Sequence, residues 1–185
     1  KKERAKIKDA KVEYSQLGFK KGANYKYLVF VNIHPDELTT SDLFDRKSPL
    51  SSFSHRVVLE ITEQSKLDQV ENLEDRIQNL RDMGFQLAID DLGAGYAGLN
   101  SFIHFHPDLV KIDMSITNGV DADRTKQRVV QSITELCHDL KISVVAEGIE
   151  NQPDRDWLAQ AGINFFQGYF FGKPKREISP GDHLE

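Results

Sequence analysis

The chain has one cysteine, Cys137. That excludes an internal disulfide and suits a reducing compartment. No apolar run approaches the ~20 residues of a membrane span, and no signal peptide opens the sequence. There is no basic excess either: 24 Lys and Arg stand against 29 Asp and Glu, a formal net charge of -5. A general nucleic-acid binder is normally basic, so that class is disfavoured. No linker, low-complexity tract or domain boundary interrupts the 185 residues. They are expected to form a single domain, with 175–185 as a C-terminal tail and Leu184-Glu185 as a cloning scar. A cytoplasmic location is expected for the domain.

What is present is alternation. The segment KERAKIKDAKVEYSQLG reads as a helix ended by Gly18. Six β-rich runs follow: YLVFVNI (27–33), RVVLEIT (56–62), QLAID (86–90), LVKID (109–113), SVVAEG (143–148) and NFFQGYFF (164–171). Most are separated by helical patterns, at 65–84, near 96–103, at 121–140 and at 152–162. In the first of these, apolar residues at 67, 73, 77 and 80 share one face and Gly84 ends the pattern. Strand-helix alternation predicts a parallel sheet in an α/β fold.

Each of the six runs carries a polar residue near its C-terminal end with an apolar one two positions earlier. The pairs are Phe30 and Asn32, Val58 and Glu60, Ala88 and Asp90, Leu109 and Lys111, Val145 and Glu147, and Phe165 and Gln167. Strand side chains alternate with period two, so both members of a pair face the same way. Six such pairs favour a TIM-type (β/α)8-like barrel with a filled interior and a polar mouth at the strand C-termini over an open doubly wound sheet, whose ligands gather at a switch point rather than across every strand.

Histidine and cysteine are missing from the converging set: Asn32, Glu60, Asp90, Asp91, Lys111, Glu147 and Gln167. An all-oxygen site selects hard cations such as Mg2+, Mn2+ or Ca2+. Several carboxylates in one mouth repel without a cation. Two divalent ions roughly 3.5–4 Å apart are a common device for phosphoryl displacement. Strict alternation would turn only one of Asp90 and Asp91 inward. The expectation is that the strand ends there and the Gly93-Ala94-Gly95 turn swings Asp91 round. The plainer alternative is a strand-to-helix turn with Asp91 as an N-cap.

LEITE, IDDLGAGYAGL, LVKIDMSI, VVAEGIE and FFQGYFFGKP, in this order, closely resemble the EAL domain family of bacterial cyclic di-GMP phosphodiesterases. VNIHP resembles that family's asparagine-containing segment, and the likeness runs from about residue 27 to 174. The resemblance implies a barrel that opens cyclic di-GMP to linear pGpG with two Mg2+ or Mn2+ ions. It implies Asn32, Glu60, Asp90 and Asp91 as metal ligands and Lys111 as the residue that holds or polarises the attacking water. It places Glu147 as a further metal-site carboxylate and Gln167 at the metal-water site. Glu63 would anchor the glycine loop, Asp91 to Tyr96, which in the family links metal site to dimer interface. Glu150 would touch substrate. A homodimer, and sensory or diguanylate-cyclase-type domains elsewhere in the parent protein, are implied as well.

The chain departs from the family pattern at Leu92, Ala94, Ala97 and Gly98, mild changes in the loop. More serious, no Glu-Ala-Leu tripeptide occurs. With six strands where a closed barrel has eight, the barrel is expected to lack its first two strands here. A longer parent, a true deletion and a divergent N-terminus each account for this, the first most simply, because an opened barrel leaves two bare sheet edges. The alternative function is a catalytically inactive module that binds cyclic di-GMP or only dimerises. Other candidates have plainer readings. Cys137 and Trp157 are expected to pack, and His104 and His106 to sit at a loop or helix end. Lys111 could instead be an interior lysine paired with Glu147 for stability. One phenylalanine of 165–171 could stack a guanine.

Overall fold

The computed structural model describes residues 12–13, 28–62, 67, 70–93, 102–103 and 105–173. Among them, seven strands form one sheet in chain order: β1 (Val12–Glu13), β2 (Val29–Asn32), β3 (Val57–Thr62), β4 (Gln86–Leu92), β5 (Leu109–Ile112), β6 (Ser143–Ala146) and β7 (Phe165–Phe166). β2 to β7 run parallel, and helices cover the outer face, giving a curled half-barrel. The helices are α1 (Leu73–Asp82), α2 (Met114–Thr117), α3 (Arg124–Asp139) and α4 (Gln152–Gln160).

The sheet has two apolar faces with different tasks. Its inner face carries Leu28, Phe30, Val58, Ala88, Leu109 and Val145, with Phe165 packed against them. All six apolar members of the pairs read from the sequence belong to this cluster. The outer face and helices form the larger core, with Leu59, Ile89, Val110 and Ile112 from the strands. Ile77 and Leu80 of α1, Val130 and Cys137 of α3, and Leu158 of α4 lie against them. Both faces being covered, β3 and β5 read as nearly continuous apolar runs, as parallel strands do. Trp157 packs against the outer core. Cys137 is fully buried, and burial pushes its thiol up to about 11, so it is a packing residue rather than a reactive one.

Local chemistry sets the helix starts. Asp123 caps α3 by accepting from the amides of Thr125 and Lys126, and Asn151 caps α4 by accepting from that of Asp154. Gly84, at φ 95°, ends the α1 region in the left-handed conformation that glycine adopts without penalty.

Three expectations are corrected. Val12 and Glu13 do not lie in a helix: they pair antiparallel with Val31 and Phe30. The outer edge of β2 offers unpaired backbone groups, and pairing with them outweighs a modest helical propensity. The other residues of the expected helix at 2–18 lie outside the described residues. The helix expected over 65–84 is only Leu73–Asp82, because Asn72 at φ 53° breaks the chain before it. Leu67 still reaches the same core from a separate turn, so one apolar spacing serves two segments. The last expected strand shrinks to Phe165–Phe166, since the chain turns away after Gln167.

Candidate functional site

The strand register lines up the polar rim. Asn32 pairs with Glu60 across β2 and β3. From there the rim is staggered: Glu60 pairs with Ala88, two residues before Asp90, Ala88 pairs with Leu109, two before Lys111, and Lys111 pairs with Val145, two before Glu147. At the centre is Lys111, whose side chain is 3% exposed. Its Nζ lies 2.8 Å from Glu60 Oε1, 3.0 Å from Asp90 Oδ1 and 2.6 Å from Glu147 Oε1. Three carboxylates from β3, β4 and the end of β6 therefore share one ammonium.

Asp90 and Asp91 both face this mouth, but not for the reason expected. The strand does not end at Asp90; it runs on to Leu92. A bulge between Ile89 and Leu92 interrupts the pairing with β5, and Asp91 takes up the left-handed conformation, φ 57°. The Asp91 amide is held by Asp90 Oδ1 at 3.0 Å. The bulge within β4 brings the second carboxylate in, as bulges re-aim side chains; Ala94 and Gly95 of the turn expected to do so lie outside the described residues. Carboxylate oxygens of Asp90, Asp91 and Glu147 come within 4.8 Å of one another.

The electrostatics are those of a buried, crowded acidic site. Burial pushes the Glu60 carboxyl up to about 7, Lys111 opposing and Asp90 reinforcing the shift. Burial does the same to Glu147, also to about 7, against the pull of Lys111. For Lys111, burial alone would lower the pKa; Glu147, Glu60 and Asp90 together overcome it and hold the ammonium above the usual lysine range. Glu60 Oε1 is taken up by Lys111 at 2.8 Å, whereas Gln167 Oε1 is a buried acceptor with no hydrogen-bond partner among the described residues. An oxygen acceptor in that condition fits a hard divalent cation.

A pH dependence follows. Glu60 and Glu147 bind protons more tightly folded than unfolded, where they titrate near 4.5. Their contribution to stability is complete below that value and is lost as pH rises through about 7. A divalent ion competes with those protons. Saturating Mn2+ is thus expected to raise the melting temperature by several degrees at pH 8 and by much less at pH 5. An equal shift at both values would contradict this assignment.

The loops that carry Glu147 and Gln167 are tied to each other. The Ile149 amide donates to Gln167 O at 3.0 Å, and the Phe170 amide to Ile149 O at 3.0 Å. A Cβ on Gly168 would lie 2.2 Å from Ile149 O and 2.3 Å from Ile149 N, both backbone atoms that cannot swing aside. Gly168→Ala is expected to cost about 2–3 kcal/mol in urea unfolding, within the usual range for backbone clashes. An unchanged midpoint would mean that the loops part freely.

The other sequence candidates are less central. Glu150, three residues after Glu147, is exposed. Asn32 and Gln167 flank the cluster on β2 and just past β7, both partly buried. Glu63, His104 and most of the glycine loop lie outside the described residues; His106 is exposed. Sequence reasoning passed over Thr117 and Asp154. Each is buried and polar, and each holds a neighbouring loop. Their spacing resembles any helix end or helix start, so no sequence signal marks them.

The EAL domain family model matches residues 4–174. The probable cyclic di-GMP phosphodiesterase PdeG of Escherichia coli (strain K12) is 42% identical over 126 residues, 66% of this chain and 25% of that protein. The blue light- and temperature-regulated antirepressor BluF of the same organism is 34% identical over 65% of this chain and 30% of its own length. Among solved structures, the manganese/cy-diGMP complex of Klebsiella pneumoniae BlrP1 at pH 9.0 superposes with a TM-score of 0.72 at 34% identity, covering 80% of this chain and 39% of that one. The chain thus spans between a quarter and two fifths of the length of these proteins. A half-barrel with an acidic mouth, its motifs in order and a family match over nearly its whole length establish that the chain belongs to the EAL domain family.

Proposed function

We propose that this chain carries most of the metal centre of a phosphodiesterase that hydrolyses cyclic di-GMP to linear pGpG. The observation that carries the reading is the mouth itself, where three carboxylates share one buried lysine and a fourth, that of Asp91, crowds two of them. Fully ionised, they leave three negative charges uncompensated. Two divalent ions would exceed that by one charge, and a phosphodiester supplies one. Asn32, Glu60, Asp90, Asp91, Glu147 and Gln167 offer the oxygens for Mg2+ or Mn2+. Bound there, such ions would neutralise charge on the reacting phosphate and ease deprotonation of water.

This chain's own residues do the rest. Lys111 orients a water through Nζ and, held cationic by its neighbours, does not take that water's proton. Glu147, whose proton a bound cation would displace, would serve as a ligand carboxylate beside Lys111. Water adds at phosphorus, the P–O3′ bond breaks, the proton ends on the 3′ oxygen and the phosphate stays on the 5′ side. Glu63 would anchor the glycine loop and Glu150 would contact substrate. Relatives named as a light-regulated antirepressor and an oxygen sensor support sensory domains in the parent protein. A homodimer and a cytoplasmic site of action complete the reading. No helix among the described residues is long and apolar enough to cross a membrane.

The second reading, a module that binds cyclic di-GMP or dimerises without turnover, draws on one observation: BluF is named an antirepressor, not an enzyme. Incubation of the full-length protein with cyclic di-GMP and Mn2+, followed by chromatography for pGpG, separates the two. Product formation upholds the enzyme. Saturable binding with no product assigns the module.

A further inference from the structure

The loop that follows Lys111 and the loop that follows Glu147 are bolted into one block. Glu147 is gripped on both sides of its backbone: its N–H donates to Ile112 O at 3.1 Å, and its C=O accepts from the hydroxyl of Thr117. Thr117 closes α2, which begins three residues after Lys111, with Asp113 as its cap through the amide of Ser115. Thr117 is wholly buried, so its hydroxyl has no water to turn to. Gly148, at φ 66°, lies so close to α2 that a Cβ there would stand 2.3 Å from Met114 Cβ.

A second bolt lies farther out. Asp154, 1% exposed on the first turn of α4, accepts from the amides of Gly119 at 2.9 Å and Asp121 at 3.1 Å. It also accepts from Asn151 Nδ2 at 2.7 Å, the same residue whose Oδ1 caps the Asp154 amide. Burial raises its pKa, but the donors outweigh that and hold it below the usual aspartate range. The carboxylate thereby ties the Asn118–Asp123 stretch to the start of α4.

We propose that Thr117 and Asp154 are positioning residues for the metal centre, fixing where the Glu147 carboxylate stands relative to Lys111 and Asp90. This rests on the reading of that mouth as a divalent-cation site. The Glu147 side chain leaves a backbone unit held on one side by Ile112, next to Lys111, and on the other by Thr117. Without the hydroxyl, the C=O of Glu147 loses its donor in a dry environment and the peptide rotates to recover one. Its carboxylate rotates with it.

The test compares Thr117→Val, which keeps shape and removes the hydroxyl, with Thr117→Ser, which restores it. Mn2+ affinity is measured by calorimetry on the full-length protein, alongside urea unfolding and the kcat and KM for cyclic di-GMP. The expected result is a folded Thr117→Val protein with Mn2+ bound about 10-fold more weakly, as for other groups that orient metal ligands. Its kcat falls while KM stays, and Thr117→Ser recovers both. If Thr117→Val does not fold, Asp154→Asn, which keeps shape and removes charge, is expected to show a smaller drop in Mn2+ affinity. Wild-type Mn2+ affinity in a destabilised Thr117→Val protein overturns the proposal, leaving the hydroxyl a purely structural role. Wild-type protein that binds Mn2+ but does not cleave cyclic di-GMP removes the enzyme reading and leaves the affinity comparison to decide this one. A wild-type protein that binds no Mn2+ overturns both.

Discussion

Lys111→Met is expected to lower the stability of the metal-free protein by about 3–5 kcal/mol at pH 8, the usual result of stripping the partner from buried charges. Methionine fills nearly the same volume, so packing changes little. What changes is that Glu60, Asp90 and Glu147, which meet at one ammonium from three strands, then face one another with nothing between. The loss should shrink at pH 5, because Glu60 and Glu147 gain protons readily once pH falls below about 7. It should shrink at pH 8 too when Mn2+ is added, since a divalent ion supplies the missing charge. Urea unfolding at both pH values, with and without Mn2+, checks all three statements. A variant as stable as the parent at pH 8 without metal would show that the carboxylates relieve their repulsion by protonation alone, and Lys111 would then be no structural counter-ion. Hydrolysis should fall as well, because the group proposed to orient water is gone.

Asp91→Gly is expected to part stability from function. Asp91 sits at φ 57° inside the bulge, a conformation that costs a side-chain-bearing residue roughly 1–2 kcal/mol, less for aspartate, and costs glycine little. The substitution also removes one of the carboxylates crowded near Asp90 and Glu147. Metal-free protein should therefore hold its melting temperature or gain a few degrees. Mn2+ affinity should fall by at least about 100-fold, the upper end of what even indirect supports of a metal ligand are worth. Asp91→Asn, which keeps the residue's tolerance of this conformation, should lose affinity without the gain. Retention of tight Mn2+ binding by Asp91→Gly would remove Asp91 from the ligand set. Such opposed effects are expected where strain is held at a functional site.

Much of this was legible in the sequence because the barrel alternates with period two. Phe30 and Asn32, Val58 and Glu60, Ala88 and Asp90 had to share a face, and register then placed the apolar members in one inner cluster and the polar ones at one rim. Strand order in chain order, the outward helices and the oxygen-only character of the mouth follow from local pattern and residue chemistry. The tertiary structure decided what depends on contact between distant segments. It made Val12 and Glu13 a strand, since only the bare edge of β2 offers that pairing. It turned Asp91 inward through a bulge, since a mismatch between β4 and β5 is invisible in either strand alone. It gave Lys111 three partners rather than the single one that spacing suggests. And it joined Thr117 to Glu147 and Asp154 to Gly119 across 30 and 35 residues. Periodicity records which way a side chain points; which partner it meets is fixed only when the sheet curls and the loops close over it.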